Sequence, residues 1–351
     1  MSFKIVEFDK NKHKTGLMRL WRENLSLYDE RRFDWLYNKN PAGHSVTFIA
    51  INSPTSEIVG CASIMPREII IDGKKEKIGI AIDFAIDKKY RVFGPAIPLQ
   101  KAIVNYINED ELLFNFGYPN RAGEGIFPKI GYKKLGYAQS WSKLLRVNKR
   151  VEKKIKIKII VSLISKVINM ILTISDKIKS AFLGNEFFLR EIKNISNEFD
   201  EFWQEMIRNG KIITGIRNKK YLNWRMSQPD KKNILMGFYN KTNKKLLGYI
   251  SYTEKQETIF IEDMYTFHDE KILSALLFDF AIKMRKKNKD TIYITYFGNN
   301  FVSKSLKKAN FILRSGKRSC IIYLPEKRIE QSKKNILEKN NWYLLDGEMD
   351  L

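Results

Sequence analysis

The sequence predicts an α/β protein built as two tandem mixed-sheet units joined by a basic amphipathic helical segment. Three observations predict it. Strand-like runs alternate with runs at helical spacing, an order that makes an α/β layer around a central sheet. The composition changes abruptly between residues 148 and 185. The elements after residue 186 repeat in kind those of residues 1–147, and tandem copies of one unit are the economical reading. A length of 351 residues, beyond most single cores, agrees with more than one domain. The expected boundaries are 1–147, 148–185, 186–325 and a tail over 326–351.

The first unit opens with the strand FKIVEF, followed by a helix in which Leu17, Leu20, Trp21 and Leu25 recur at helical spacing. Two strands follow, SVTFIAI and EIVGCASIMPREIII, the second closed by the turn pair Asp72-Gly73. A buried strand, IGIAIDFAID, then runs through a tight turn into an amphipathic helix. The strand ELLFNFGYP, a short helix after Asn120 and a closing strand from about Tyr132 to Val147 complete the unit.

The joining segment begins with the densely basic NKRVEKKIKIK. In the apolar run after it, Ser162, Lys166, Asn169, Thr173 and Asp176 fall three and four residues apart, on one narrow stripe, leaving most of the circumference apolar. Such a helix is buried between domains or lies on a membrane surface. Lys166 interrupts the run, which falls short of the roughly 20 apolar residues of a membrane span.

In the second unit EFFLREI matches the opening strand and EFDEFWQEMI the first helix. KKYLNWRMSQP around Trp224 echoes RRFDWLYNKNP around Trp35. The tail NNWYLLDGEMDL, with acids at 346, 348 and 350, reads as a frayed end, the alternative being recognition of an amino group.

The net charge of +24 favours anionic partners such as phosphorylated cofactors, nucleic acid or an acidic membrane face. Lys, Ile and Asn are abundant together throughout, as an AT-rich coding sequence would give, so charge narrows the partner only weakly. Cys61 and Cys320 sit far apart in strand-like runs and read as reduced core residues of a cytoplasmic protein, with no metal site. The opening MSFKIVEFDKNKHK turns polar at once and reads as no secretory signal.

The chemistry concentrates in DKKYRVFGPAIPLQKAIV, where a strand turns sharply into a helix beside a cation. The free N–H groups of a helix start point at one spot and stabilise an anion there. Gly94 allows close backbone approach, Pro95 suits the first helical turn, and Arg91 can pair with a phosphate. An ordinary strand-to-helix turn with a solvated arginine would show the same local pattern.

RVFGPA fits R-x-x-G-x-A, and the stretch from Ile80 through the following helix resembles the acetyl-CoA motif of the GNAT family of N-acetyltransferases. NRAGEGIFPKIGY is similar to the family's next segment, N-x-x-x-x-x-x-Y-x-x-x-G-[FY], with Asn120, Gly131 and Tyr132 in register. The resemblance covers roughly residues 1–147. It implies a GNAT-like unit that takes acetyl-CoA or another acyl-CoA as co-substrate, with the pyrophosphate on the loop and the pantetheine between two parted strands. The residues it assigns to the co-substrate are Phe84, Ile86, Arg91, Val92, Phe93, Gly94, Ala96, Asn120 and Phe127.

Phe127 stands where the family has the tyrosine that protonates the departing thiolate, and phenylalanine has no proton to give. Tyr118 and Tyr132 are the nearby hydroxyls, and packing is the alternative role for each. Asp83, an acid inside an otherwise apolar strand, is the candidate general base, the alternative being a structural salt bridge; His44 after NPAG is a second candidate. The second unit lacks the loop: HDEKILSALLFDFA has no glycine and carries acids that would repel phosphate. Leu306 and Asn310 occupy its tyrosine and glycine positions, so a GNAT-like fold without a working cofactor site is expected there.

The resemblance therefore implies transfer of an acyl group to an amine, with the rate expected to depend on Asp83 more than on any tyrosine. Tandem proteins of this size resemble those of bacterial cell-surface polysaccharide pathways, which implies a small-molecule acceptor such as a nucleotide-linked or lipid-linked amino sugar. Peptidoglycan-bridge ligases, which use aminoacyl-tRNA, also pair GNAT-like domains, and the basic charge suits RNA, but the intact loop argues against nucleic acid. A non-catalytic acyl-CoA or membrane-associated binding module is the third reading. The expected place is the cytoplasm, peripheral at the inner face of an anionic membrane if the basic helix meets lipid.

Overall fold

The computed structural model describes residues 2–25, 29–92, 94–109, 112–120, 123–184, 186–208, 212–267, 269–325 and 333–349. The first half runs β1 (Phe3–Glu7), α1 (Lys10–Asn24), α2 (Glu30–Phe33), β2 (Val46–Asn52), β3 (Ile58–Ile71), β4 (Lys74–Ile86), α3 (Ala96–Glu109), β5 (Asn115–Gly117) and β6 (Lys133–Leu144). A short α4 (Asn148–Glu152) leads into the long α5 (Lys158–Phe182). The second half runs β7 (Phe187–Ile192), α6 (Glu198–Arg208), β8 (Ile213–Gly215), α7 (Lys219–Met226), β9 (Ile234–Asn240), β10 (Leu246–Lys255) and β11 (Thr258–Thr266). It continues through α8 (Glu270–Lys286), β12 (Thr291–Gly298), α9 (Asn300–Lys308), β13 (Ile312–Tyr323), α10 (Lys333–Leu337) and β14 (Trp342–Leu345).

Local chemistry explains the edges of these elements. Asp9 and Asp29 accept the N–H groups of Asn11 and Arg31 at the starts of α1 and α2. The β3–β4 hairpin turns at Asp72 and Gly73, both at positive φ (49° and 77°), and Ile71 pairs directly with Lys74. That two-residue turn carries the twist of the long strands it joins.

The fourteen strands among the described residues join one sheet, and its middle could not be read from strand periodicity. From one edge the order is β1-β2-β3-β4-β5, and from the other β7-β9-β10-β11-β12. Between them lie the two closing strands in exchanged places: β13 pairs β5, β6 pairs β12, and β13 and β6 pair each other. The boundaries expected along the chain are therefore not boundaries in the sheet. The tryptophan echo meets in space. Trp35 and Trp224 stack with ring centroids 4.5 Å apart, and each indole N–H donates to the other's backbone oxygen, at 2.7 and 3.0 Å.

Through Met349 the described part of the tail is not frayed; Asp350 lies outside the described residues. β14 pairs β12 at Tyr296–Gly298 and β8 at Ile213 and Thr214, and its four residues are buried. Beyond it the buried Glu348 receives Arg67 at 3.2 Å and Arg217 at 2.8 Å, while Arg217 also holds Asp263. Burial of these apolar and ion-paired groups fixes the segment.

Helix α5 runs 25 residues, longer than its interrupted apolar pattern suggested, and is long and apolar enough to cross a membrane by length and composition. Only Ser165 and Asp176 are fully buried in it. Ser162 and Lys166, expected on one polar stripe with Asp176, are exposed.

Candidate functional site

The site begins where two parallel strands part. β4 and β5 pair only at Gly79–Asn115 and Ile80–Phe116. Beyond those pairs Ala81–Phe84 and Gly117–Asn120 line opposite walls of a cavity of about 380 Å³. Gln100 and Ile103 of α3, Phe127, Arg32, Ser63, Arg318 and Met349 are among the other lining residues.

A β-bulge aims the carboxylate. Cys61 pairs with Ala85 and Ser63 with Ile82, so Asp83 and Phe84 together oppose Ala62 alone. Asp83 sits at φ +48°, a left-handed conformation that an aspartate tolerates better than its β-branched neighbours would. Its Oδ1 accepts Arg32 Nη2 at 3.0 Å, and its Oδ2 accepts Arg32 Nη1 at 3.1 Å and the Tyr37 hydroxyl at 2.8 Å. Both side chains of this pair are buried, 2% and 7% exposed. Both oxygens are thus committed, the salt-bridge alternative rather than a free base. His44 lies in its loop with Nδ1 3.3 Å from the Tyr37 carbonyl, outside the cavity lining.

The three aromatic candidates separate. Phe127 lines the cavity, 3% exposed, packed edge-on against Phe84 at 6.1 Å and Tyr132 at 5.1 Å. Tyr132 stands behind it: its hydroxyl accepts Asn115 Nδ2 at 2.6 Å, burial pushes its pKa up, and it does not line the cavity. Tyr118 does line it. Its hydroxyl is shielded from solvent against the buried Cys320 thiol, with which it interacts, and burial pushes its pKa well above the ordinary 10.0. The Arg318 guanidinium lies 5.4 Å from its ring centre.

The loop toward α3 is shaped around Gly94. A Cβ there would lie 1.6 Å from the Tyr90 carbonyl oxygen, so no side chain fits the observed path. Arg91 donates from Nε to the Ile86 carbonyl and from Nη2 to Asn24 Oδ1, both at 3.2 Å, which holds the guanidinium across the base of the turn. Val92 is 73% exposed, and Phe93 lies outside the described residues. Ala96 opens α3, and Gln100, one turn on, reaches the cavity, so loop and cavity are about 6 Å apart along the helix. Ile86 packs into the core beside α3 rather than lining the cavity. Asn120 lines the cavity rim and accepts the Gly123 N–H at 2.9 Å.

Sequence reasoning missed Arg32, Gln100, Arg318 and Met349. Gln100 left a signal, a polar residue one place from Leu99 on the face that Ile103 and Ile107 bury; it is 2% exposed and its Oε1 has no partner. Arg32, Arg318 and Met349 left none, because their approach depends on how distant segments pack.

The corresponding places in the second half are filled from within. β11 and β12 also pair in parallel and part after Ile261–Ile294. There β14 adds to β12, and the Tyr343 hydroxyl donates to the Met264 carbonyl of β11 at 2.5 Å. At the start of α8 the Asp269 carboxylate accepts the N–H groups of Lys271 and Ile272, so an internal carboxylate occupies the anion position.

No protein-family model matches the sequence, and no curated protein matches it. Solved structures do. A GCN5-related N-acetyltransferase from Anabaena variabilis aligns over 93% of this chain and 73% of its own, at 13% identity and a TM-score of 0.63. A probable N-acyltransferase from Enterococcus faecalis covers the same shares at 10% identity and 0.62. Saccharomyces cerevisiae N-myristoyltransferase, solved with myristoyl-CoA, aligns over 92% and 82% at 13% identity and 0.55. The chain has the GNAT-like mixed α/β fold.

Proposed function

We propose that the protein is an acyl-CoA-dependent N-acyltransferase. The observation that carries the reading is the parting of β4 from β5 into a cavity one helical turn from a glycine-shaped loop. The residues present fit an acyl-CoA co-substrate. The parted strands offer backbone groups, Gln100 and Tyr118 line the cavity, Gln100 Oε1 being buried without a partner, and the path at Gly94 lets an anion meet the backbone. The thioester substrate supplies an activated carbonyl; an unprotonated amine attacks it, the C–N bond forms as the C–S bond breaks, the thiolate takes a proton, and the surplus proton of the acylated nitrogen passes to solvent, from which the donor is restored.

In this reading Tyr118 is the donor of that proton, since burial keeps its phenol protonated at neutral pH. Asp83, fixed by Arg32 and Tyr37, positions the bulged strand rather than removing a proton. Arg318 and Met349 on the opposite side mark the approach of the acceptor. The two halves are read as tandem copies with the second cleft closed, and an amino sugar of a surface polysaccharide pathway enters as one candidate acceptor, on the resemblance alone. A non-catalytic acyl-CoA-binding module is the second reading, favoured by Phe127, which lines the cavity without a proton to give.

Calorimetric titration with acetyl-CoA and longer acyl-CoAs, followed by CoA release against amino sugars, polyamines and peptides, tests both. Binding with turnover is expected. Binding without release from any acceptor supports the second reading, and absence of binding overturns both.

A further inference from the structure

Helix α5 is turned the opposite way from an ordinary surface helix: Asn169, Asp176 and Ser180 face the protein, while a stripe of its apolar side chains faces out. Asn169 accepts the Val147 N–H at 2.9 Å and donates to Asn148 at 2.8 Å. One turn pair further on, Asp176 is buried between Lys143, at 2.9 Å, and Arg285. Ser180 donates to Asp279 at 2.8 Å. The contact is thus hydrogen-bonded from Asn169 to Ser180, about half of the helix, and orients it.

The outer face carries Ile160, Leu163, Val167, Ile171, Ile174 and Ile178, three or four residues apart and each at least 40% exposed. Met170 and Phe182 widen it. A contiguous row of exposed aliphatic side chains of this kind marks a membrane or protein interaction site. The charge around it is mostly positive, with Glu152 the one exposed acid among the basic residues of the approach. Arg150, Lys153, Lys154, Lys156 and Lys158 are exposed on the approach, Lys166 and Lys177 are exposed along the helix, and its one acid, Asp176, is turned inward.

We propose that α5 is an in-plane anchor that seats the protein on an anionic lipid surface. The apolar stripe enters the acyl boundary, and the lysines extend to the headgroups. A second copy of this chain fits less well. A twofold pairing of the stripe would bring lysines of both copies together with no exposed acid on the helix to receive them. A transmembrane crossing would pull Asp176 out of its buried pairs with Lys143 and Arg285 and leave three charges unmatched.

Sedimentation of the full chain with phosphatidylcholine vesicles, with and without phosphatidylglycerol, tests the proposal. The protein is expected to pellet with the anionic vesicles, weakly with the neutral ones, and less as salt is raised. The double variant Leu163→Gln, Ile174→Gln changes only exposed positions, so its melting temperature should hold while anionic-vesicle binding falls at least about tenfold. Lys154→Glu with Lys158→Glu should lower binding to the anionic vesicles selectively. A protein that stays in the supernatant with every vesicle overturns the proposal, as does a double variant that binds like the parent. A dimer in solution that the double variant dissolves, without any lipid binding, assigns the stripe to a second copy instead.

Discussion

At Gly94 a side chain has nowhere to go, because the Tyr90 carbonyl occupies the space of a Cβ. Gly94→Val is expected to displace the turn and weaken acetyl-CoA binding at least about tenfold in calorimetry; Arg91→Ala should remove a charge-assisted contact worth on the order of 1.5–3 kcal/mol. Unchanged affinity in both variants would move the phosphates away from this loop. Asp83→Asn separates two roles. As a partner of the buried Arg32, the carboxylate's loss should destabilise the fold by roughly 3–5 kcal/mol in urea denaturation. Turnover abolished with stability intact would restore Asp83 as the base. Tyr118→Phe should slow CoA release by about 100-fold or more, within the range of general acid catalysis, and leave acetyl-CoA affinity alone. Phe127→Tyr should leave affinity alone and keep or raise the rate, since its ring already borders the cavity.

Between elements, the buried ion pairs hold segments that sequence periodicity leaves loose. Lys143 on β6 carries α5 through Asp176, and burial lowers its pKa from 10.5 to about 8. Between about 8 and 10.5 the unfolded chain therefore binds more protons at this position than the folded one. Its contribution to stability rises with pH through that window and is least favourable below it. Lys143→Met should flatten the rise, read as the slope of unfolding free energy against pH in parent and variant. The tail carries the same logic at its end. Its acids looked like a frayed terminus, yet Glu348 closes a pair of buried arginines, and Gly215 leaves them room: a Cβ there would lie 2.1 Å from Glu348 Oε1.

Across the whole molecule, the exchange of closing strands decides what can fold alone. Without the second half β5 loses β13, and β6 loses both β12 and β13. Residues 1–147 expressed by themselves are expected to lack a cooperative thermal transition and to aggregate through the open strand edges, as followed by circular dichroism and light scattering. A soluble, cooperatively melting fragment would show that the first half closes its own sheet. The filled cleft of the second half fits the same architecture: β14 supplies strand partners where β11 and β12 part, so one open cavity serves a sheet with two partings.

The sequence by itself determined the α/β class, the long hairpin at Asp72-Gly73 and the glycine turn into α3. These rest on contacts within a few residues, where side-chain period and backbone preference decide the outcome. Even the echo around Trp35 and Trp224 was written locally, although its meaning, a reciprocal stack, was not. Only the tertiary structure decided which strand pairs with which in the middle of the sheet, because β6 and β13 have the same alternation whichever edge they join. It also decided that Arg32 meets Asp83, that Tyr118 rather than Tyr132 faces the cavity, and that α5 shows its apolar side outward. Each of these depends on groups brought together from far along the chain, and on whether a buried charge finds its partner there.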